Sequence, residues 1–275
     1  MEKYLNTTCF NEVAVKNEGA SWRRDMEAFA HLARLLREHA DRPQFILLYT
    51  TATHFPYEYP PEYELYRPVA SPKMAFAHAD PRHRPEILNR YMNSARFTDD
   101  KVADLIEGLD PKRNLIVVTG DHGESLFEDG YFMHCGRLSD VQTRVPMVIV
   151  GPGVPPGTVT RLTSHVDLLP TLLHLLAGKP APVAHCQGRD LRGPAQTADR
   201  VMLCTVQRYS GPWMEGVLVE PEGRVLFKAM TDKPCFIIQG RCDEAANVDI
   251  MNPMPEKDLR HWQQSFDAEL TQLAQ

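Results

Sequence analysis

The sequence predicts an α/β fold, a mostly parallel sheet with helices on both faces, followed by a small α+β appendage. Three observations carry that expectation. Gln44–Thr50, Leu115–Thr119 and Val145–Val150 are apolar runs of strand length without alternation, which fits strands buried on both faces. Stretches of helical length with apolar residues at four-three spacing alternate with them, the pattern of a parallel sheet with crossover helices. From about residue 199 the texture changes to short strand-like runs separated by turns.

Taken in order, Ser21 is placed to cap a helix over about Trp22–His39, with Trp22, Met26, Phe29, Ala33 and Leu36 on one face. Asp41-Arg42-Pro43 stops it, and the first apolar run follows. Residues 51–85, rich in Pro, Tyr and His, read as a long irregular loop, a kind that is usually functional in a compact domain. A second helix is expected from about Glu86 to Leu109, with Tyr91, Ala95, Thr98, Val102, Leu105 and Leu109 as its stripe and Asp110-Pro111 as its stop. The third run closes in the Gly- and Pro-rich turn at 151–157. Asp167 is then placed to cap a helix over Leu168–Ala177, stopped by Gly178 and Pro180. Val201–Val206, Gly216–Val219, Arg224–Met230 and Cys235–Gln239 read as strands, and Pro255–Leu273 as a closing amphipathic helix. The domain organisation expected is an α/β domain over 1–196, its N-terminal part missing, and an α+β subdomain over 197–275.

Composition narrows the function classes. With 43% hydrophobic and 24% charged residues the chain has an ordinary globular balance, which argues against disorder. A formal charge of −6 gives no electrostatic reason for nucleic acid to bind. The longest apolar runs are far short of a bilayer-crossing segment. Six cysteines include no Cys-x-x-Cys pair, which argues against a structural zinc knuckle. Cys235 and Cys242 flank a short apolar segment and read either as disulfide partners or as reduced, half-buried thiols.

The sharpest chemical signal is Thr119-Gly120-Asp121-His122-Gly123-Glu124, directly after the strand at Leu115–Thr119. Ligands of open α/β sheets bind at the carboxyl ends of strands, which puts Asp121 and His122 where a site belongs. A carboxylate and an imidazole there suit a divalent ion such as zinc or manganese, whereas calcium favours more oxygen ligands. The flanking glycines free the backbone to turn both side chains toward one point.

The run IVVTGDHGESLFEDGYFMHCG, followed by RVPMVIVGPGV and TSHVDLLPTLLHLLAG, resembles the metal-binding half of the sulfatases and of the phosphoethanolamine and phosphoglycerol transferases. Upstream, RPQFILLYTTATHFPYEYP and RYMNSARFTDDKVADLIEGL are similar to that group's strand with a His-x-Pro-Tyr loop and to its next helix. The likeness spans about residues 20–195 and extends to a sulfatase-like envelope protein that senses lipopolysaccharide at the inner membrane. It implies an alkaline phosphatase-like fold and metal-dependent chemistry on a sulfate or phosphate ester of a small molecule, glycan or lipid. It also implies Asp121 and His122 as ligands of a divalent ion (calcium, zinc or manganese), and His54 and His134 as the residues that contact the transferred group. Glu124 and Ser125 are expected to orient the Asp-His turn through hydrogen bonds. His165, just before the helix that Asp167 opens, reads as a structural or capping residue rather than a ligand. For the full-length parent the likeness implies an extracytoplasmic setting.

The group's nucleophile, a Cys or Ser in Cys/Ser-x-Pro-x-Arg or a Thr at a helix N-terminus, has no match here. Cys9, Cys135, Cys186, Ser71-Pro72, Thr7, Thr8 and Thr50 all lack the required neighbours. A chain that begins partway through the family pattern is therefore the expectation, with a hydrolase as the leading reading. The alternatives are a phospho-transferase and a non-catalytic binding or regulatory module.

Overall fold

The computed structural model describes residues 19–73, 80–128, 130–134, 139–180, 186 and 188–193, and the backbone of four strands between 202 and 242. The expected helix over 255–273 and the Cys235–Cys242 pairing lie outside the described residues, as do Thr7, Thr8, Cys9 and Cys135. The chain divides into two compact units, Met1–Asp110 and Pro111–Gln275.

In the first unit, α1 (Ser21–Glu38) and α2 (Arg84–Glu107) form where their periodicity places them. Their buried faces differ from the apolar stripes, and the difference has one cause. On α1 the buried residues are Ser21, Asp25, Phe29 and Leu32, while Met26 is exposed. Ser21 lies inside the helix rather than capping it, and its N–H donates to Glu58. Asp25 is buried because its carboxylate gathers the backbone N–H groups of Thr51 and Ala52 and the Thr51 hydroxyl. Burial holds its carboxyl above the usual range, against the opposing pull of those donors.

On α2 the expected stripe is half-buried, and the fully buried residues are Ile87, Arg90, Asn93, Ser94 and Phe97. Arg90 donates to the carbonyls of Pro56 and Ala70, and Asn93 bonds the backbone of Leu65 and Tyr66. The long loop is therefore fastened to both helices by polar side chains that satisfy its backbone, which buried loops require. Ala52, Tyr59 and Phe97 form the small core beneath it, with Trp22 and Tyr63 packed alongside.

Replacing Asp25 by alanine strands three buried donor groups and is expected to lower stability by about 1–3 kcal/mol in urea unfolding. Asparagine, which keeps one acceptor, is expected to lose less.

The expected strand at Gln44–Thr50 forms no ladder, and Phe45, Leu47 and Tyr49 are exposed. An apolar run becomes a strand only when a neighbour accepts and donates along it, and no described segment does so. In the second unit, β1 (Ile116–Thr119) pairs antiparallel with β4 (Met147–Val150), Thr119 opposite Met147. Val118 and Val148 are exposed on this pair, where burial on both faces is the expectation. All ladders among the described residues are antiparallel. Between β1 and β4 lie the short hairpin of β2 (Ser125–Leu126) and β3 (Phe132–Met133) and the single turn α3 (Asp140–Thr143).

The helix α4 (Leu168–Ala177) has its expected bounds and ends on Gly178 at φ 69°, the left-handed stop that glycine permits. Its start departs from expectation. Ser164 caps a 3-10 turn at His165–Asp167, and the Asp167 side chain reaches back to the Ser164 N–H instead of capping α4. Beyond it, β5 (Met202–Gln207), β6 (Trp213–Glu220), β7 (Gly223–Met230) and β8 (Phe236–Cys242) form a four-stranded antiparallel meander, close to the four short strands read from sequence.

Candidate metal centre

The centre begins at the end of β1. The Thr119 hydroxyl donates to the Pro146 carbonyl at 2.9 Å, fixing the strand end against the start of β4. Asp121 then accepts from the His122 N–H through Oδ1 at 3.0 Å. His122 Nδ1 lies 2.9 Å from the Gly123 carbonyl. A carbonyl only accepts, so the proton sits on Nδ1 and Nε2 carries the lone pair a metal needs. That Nε2 stands 3.7 Å from Asp121 Oδ2. Two donors each about 2.0–2.2 Å from one tetrahedral ion stand roughly 3.3–3.6 Å apart, slightly closer than this pair.

The next residues fold back on themselves. Ser125 pairs with Met133 and Leu126 with Phe132, so the hairpin returns the chain to Glu124 ten residues later. Met133 turns at φ 66°, a conformation bulky side chains adopt only when their surroundings impose it, and this turn precedes His134. Glu124 Oε2 then accepts from His134 Nδ1 at 2.7 Å. This carboxylate raises the His134 pKa, against the partial burial that lowers it, and the Asp121 charge adds to the rise. The His122 and His134 rings lie 4.2 Å apart, and His122, Glu124 and His134 each offer a ligand atom within 4.8 Å of the others.

One buried side chain braces this arrangement. Gln142 of α3 donates through Nε2 to the Ser125 hydroxyl at 2.9 Å and to the Met133 carbonyl at 3.3 Å. Its own carbonyl accepts the Gly123 N–H at 2.8 Å. Gln142 thereby ties the segments that carry His122, Glu124 and His134.

Of the residues singled out from sequence, Asp121, His122 and His134 come together here, with Glu124 beside His134 and Ser125 beneath. His54 belongs to the other unit. It is exposed on the turn from Thr51 to Tyr57, which Asp25 holds at one end and buried Tyr57 at the other. Its Nδ1 bonds the Phe55 carbonyl at 2.8 Å, which places the lone pair on Nε2. Tyr57 packs edge-on against Phe55 and Tyr91 at φ 58°, so the turn is over-determined by its packing. Gln142 and Asp25 escaped sequence reasoning. Nothing in Asp-Val-Gln-Thr marks Gln142, whereas an acid one turn before Phe29 on the face of α1 was a readable signal.

A carboxylate and two imidazoles lie close together beyond the end of β1. The sulfatase family model matches residues 3–179, and the chain belongs to that family. Choline-sulfatase of Rhizobium meliloti (strain 1021) is 36% identical over 89 residues, covering 31% of this chain and 17% of that protein. The phosphoethanolamine transferase EptA of Salmonella typhimurium is 29% identical over 41% of this chain and 22% of its own length. The chain thus spans about a fifth of these relatives. Among solved structures, a 2-O GAG sulfatase (BT1596) superposes with a TM-score of 0.59 at 16% identity, over 95% of this chain and 66% of that one. That likeness places the chain in the α/β fold of the sulfatases.

Proposed function

We propose that the chain carries the metal-binding and leaving-group portion of a sulfate-ester hydrolase acting on a small-molecule, glycan or lipid sulfate. The observation that supports it most is the spacing of Asp121 Oδ2 and His122 Nε2 beside the Glu124–His134 pair. Asp121 and His122 would hold the ion, and the mixed oxygen and nitrogen donors favour zinc or manganese over calcium. Such an ion supplies charge neutralisation at the ester oxygens and lowers the pKa of an attacking group.

The chain's own residues do the remaining work. Glu124 accepts from His134 Nδ1 and favours the protonated imidazole, whose Nε2–H would then donate to a non-bridging sulfate oxygen or to the departing alkoxide. His54, with Nδ1 bonded to the Phe55 carbonyl, is proposed as a further contact of the transferred group on the strength of the family likeness. Phosphoryl transfer is the second reading, favoured by the likeness to EptA.

The test compares binding of inorganic sulfate and of inorganic phosphate by the purified chain, with zinc and with chelator. Chelator-sensitive binding of sulfate, lost in His134→Ala, is the expected result. Preference for phosphate would move the assignment to phospho-transfer, and indifference to chelator would sink the metal reading.

A further inference from the structure

From the geometry at the end of β1, we infer that His165 is a positioning residue for the Asp121–His122 turn and acts through Thr119, an inference that rests on the metal reading above. His165 Nε2 lies 3.1 Å from Thr119 Oγ1, two residues before Asp121. The other two partners of the Thr119 hydroxyl, the Pro146 carbonyl at 2.9 Å and the Gly120 carbonyl at 3.2 Å, only accept, so it donates to them and accepts from His165 Nε2–H. A hydroxyl that donates at the strand end and accepts from a third segment is restrained, and the turn that starts beside it shares that restraint.

His165 is itself held by a strap. Gly188 sits so close to the 3-10 turn that a Cβ there would stand 1.8 Å from the Val166 carbonyl oxygen. The Arg189 N–H donates to Asp167 Oδ1 at 2.8 Å, while Asp167 Oδ2 takes the Ser164 N–H. Thr171 donates to the Asp167 carbonyl and accepts from the Leu191 N–H. Asp190 pairs with His174 of α4, and Arg161 donates to the carbonyls of Asp190, Leu191 and Gly193. Asp167 and Thr171 are buried. The Gly-Arg-Asp-Leu strap therefore clamps the turn, and His165 links that turn to the end of β1. The path runs strap, 3-10 turn, His165, Thr119, metal-binding turn, each link a hydrogen bond or a backbone contact.

The test is titration of the 275-residue chain with Co²⁺, following the visible absorption that reports ligand number and geometry. His165→Ala is expected to weaken Co²⁺ binding about tenfold or more and to alter the band shape. His165→Gln, whose amide N–H replaces Nε2–H, is expected to restore both. Thr119→Val, which keeps the side-chain shape, is expected to reproduce the loss, and the double variant to lose no more than either single one. A merely structural role would shift the unfolding midpoint of the metal-free chain and leave Co²⁺ affinity alone. Wild-type affinity in His165→Ala, or losses that add in the double variant, overturns the inference. Failure of the wild-type chain to bind Co²⁺ instead overturns the metal reading on which it rests.

Discussion

Gly123→Ala is expected to abolish metal binding by this chain and to destabilise its second unit. An added Cβ would stand 1.8 Å from the Val141 carbonyl oxygen and 2.9 Å from its carbon, and both are backbone atoms that no rotamer change can move. The α3 turn must shift, and the hydrogen bond from the Gly123 N–H to the Gln142 carbonyl goes with it. Overpacking of this kind costs about 1–3 kcal/mol. The functional loss is larger in proportion, because Gln142 is displaced from Ser125 and Met133 at the same time and all three donor-bearing segments lose their common brace. Zinc titration of the variant, with a urea melt beside it, separates the two effects. Affinity within about threefold of wild type would mean that Gln142 does not set the site, since loss of a supporting partner ordinarily costs 10–100-fold.

What was legible in the sequence follows from which physical signals are local. The bounds of α1, α2 and α4 were readable because stop signals such as Asp110-Pro111 and Gly178 act on the backbone beside them. The closeness of Asp121, His122 and His134 was readable because strand, turn and hairpin bring them together within one short stretch. The faces of α1 and α2 were not, because periodicity counts apolar residues, whereas Asp25, Arg90 and Asn93 are buried to serve a loop up to 34 residues away in sequence. Gln44–Thr50 misled for a related reason. Its composition records what a strand needs from neighbours, and pairing is not a property of the segment itself. Gln142 was invisible because a buried amide that braces three segments carries no spacing signature of its own.

Glu124 separates two accounts of the same cluster, and their predicted outcomes differ widely. His122, Glu124 and His134 are close enough for three ligand atoms to meet one ion. Yet Glu124 Oε2 lies 2.7 Å from His134 Nδ1, a hydrogen-bond length, whereas Asp121 Oδ2 and His122 Nε2 stand at the wider separation of two ligands. Glu124 is therefore read as the partner that orients His134, with Asp121 and His122 as the ligands. On that reading His122→Ala removes one of the two ligands this chain supplies and lowers zinc affinity on the order of 100-fold. Asp121→Asn should lose nearly as much, for the amide oxygen retains the shape and not the charge. Glu124→Gln keeps an oxygen for the Nδ1 proton and should change zinc affinity by less than about threefold, because the residue it orients is not a ligand. The same variant should still weaken sulfate binding, since a neutral amide no longer favours the protonated form of His134. Calorimetric titration of the three variants decides between the accounts. If Glu124→Gln loses zinc as His122→Ala does, Glu124 is a ligand, and the donor set becomes His122, Glu124 and His134.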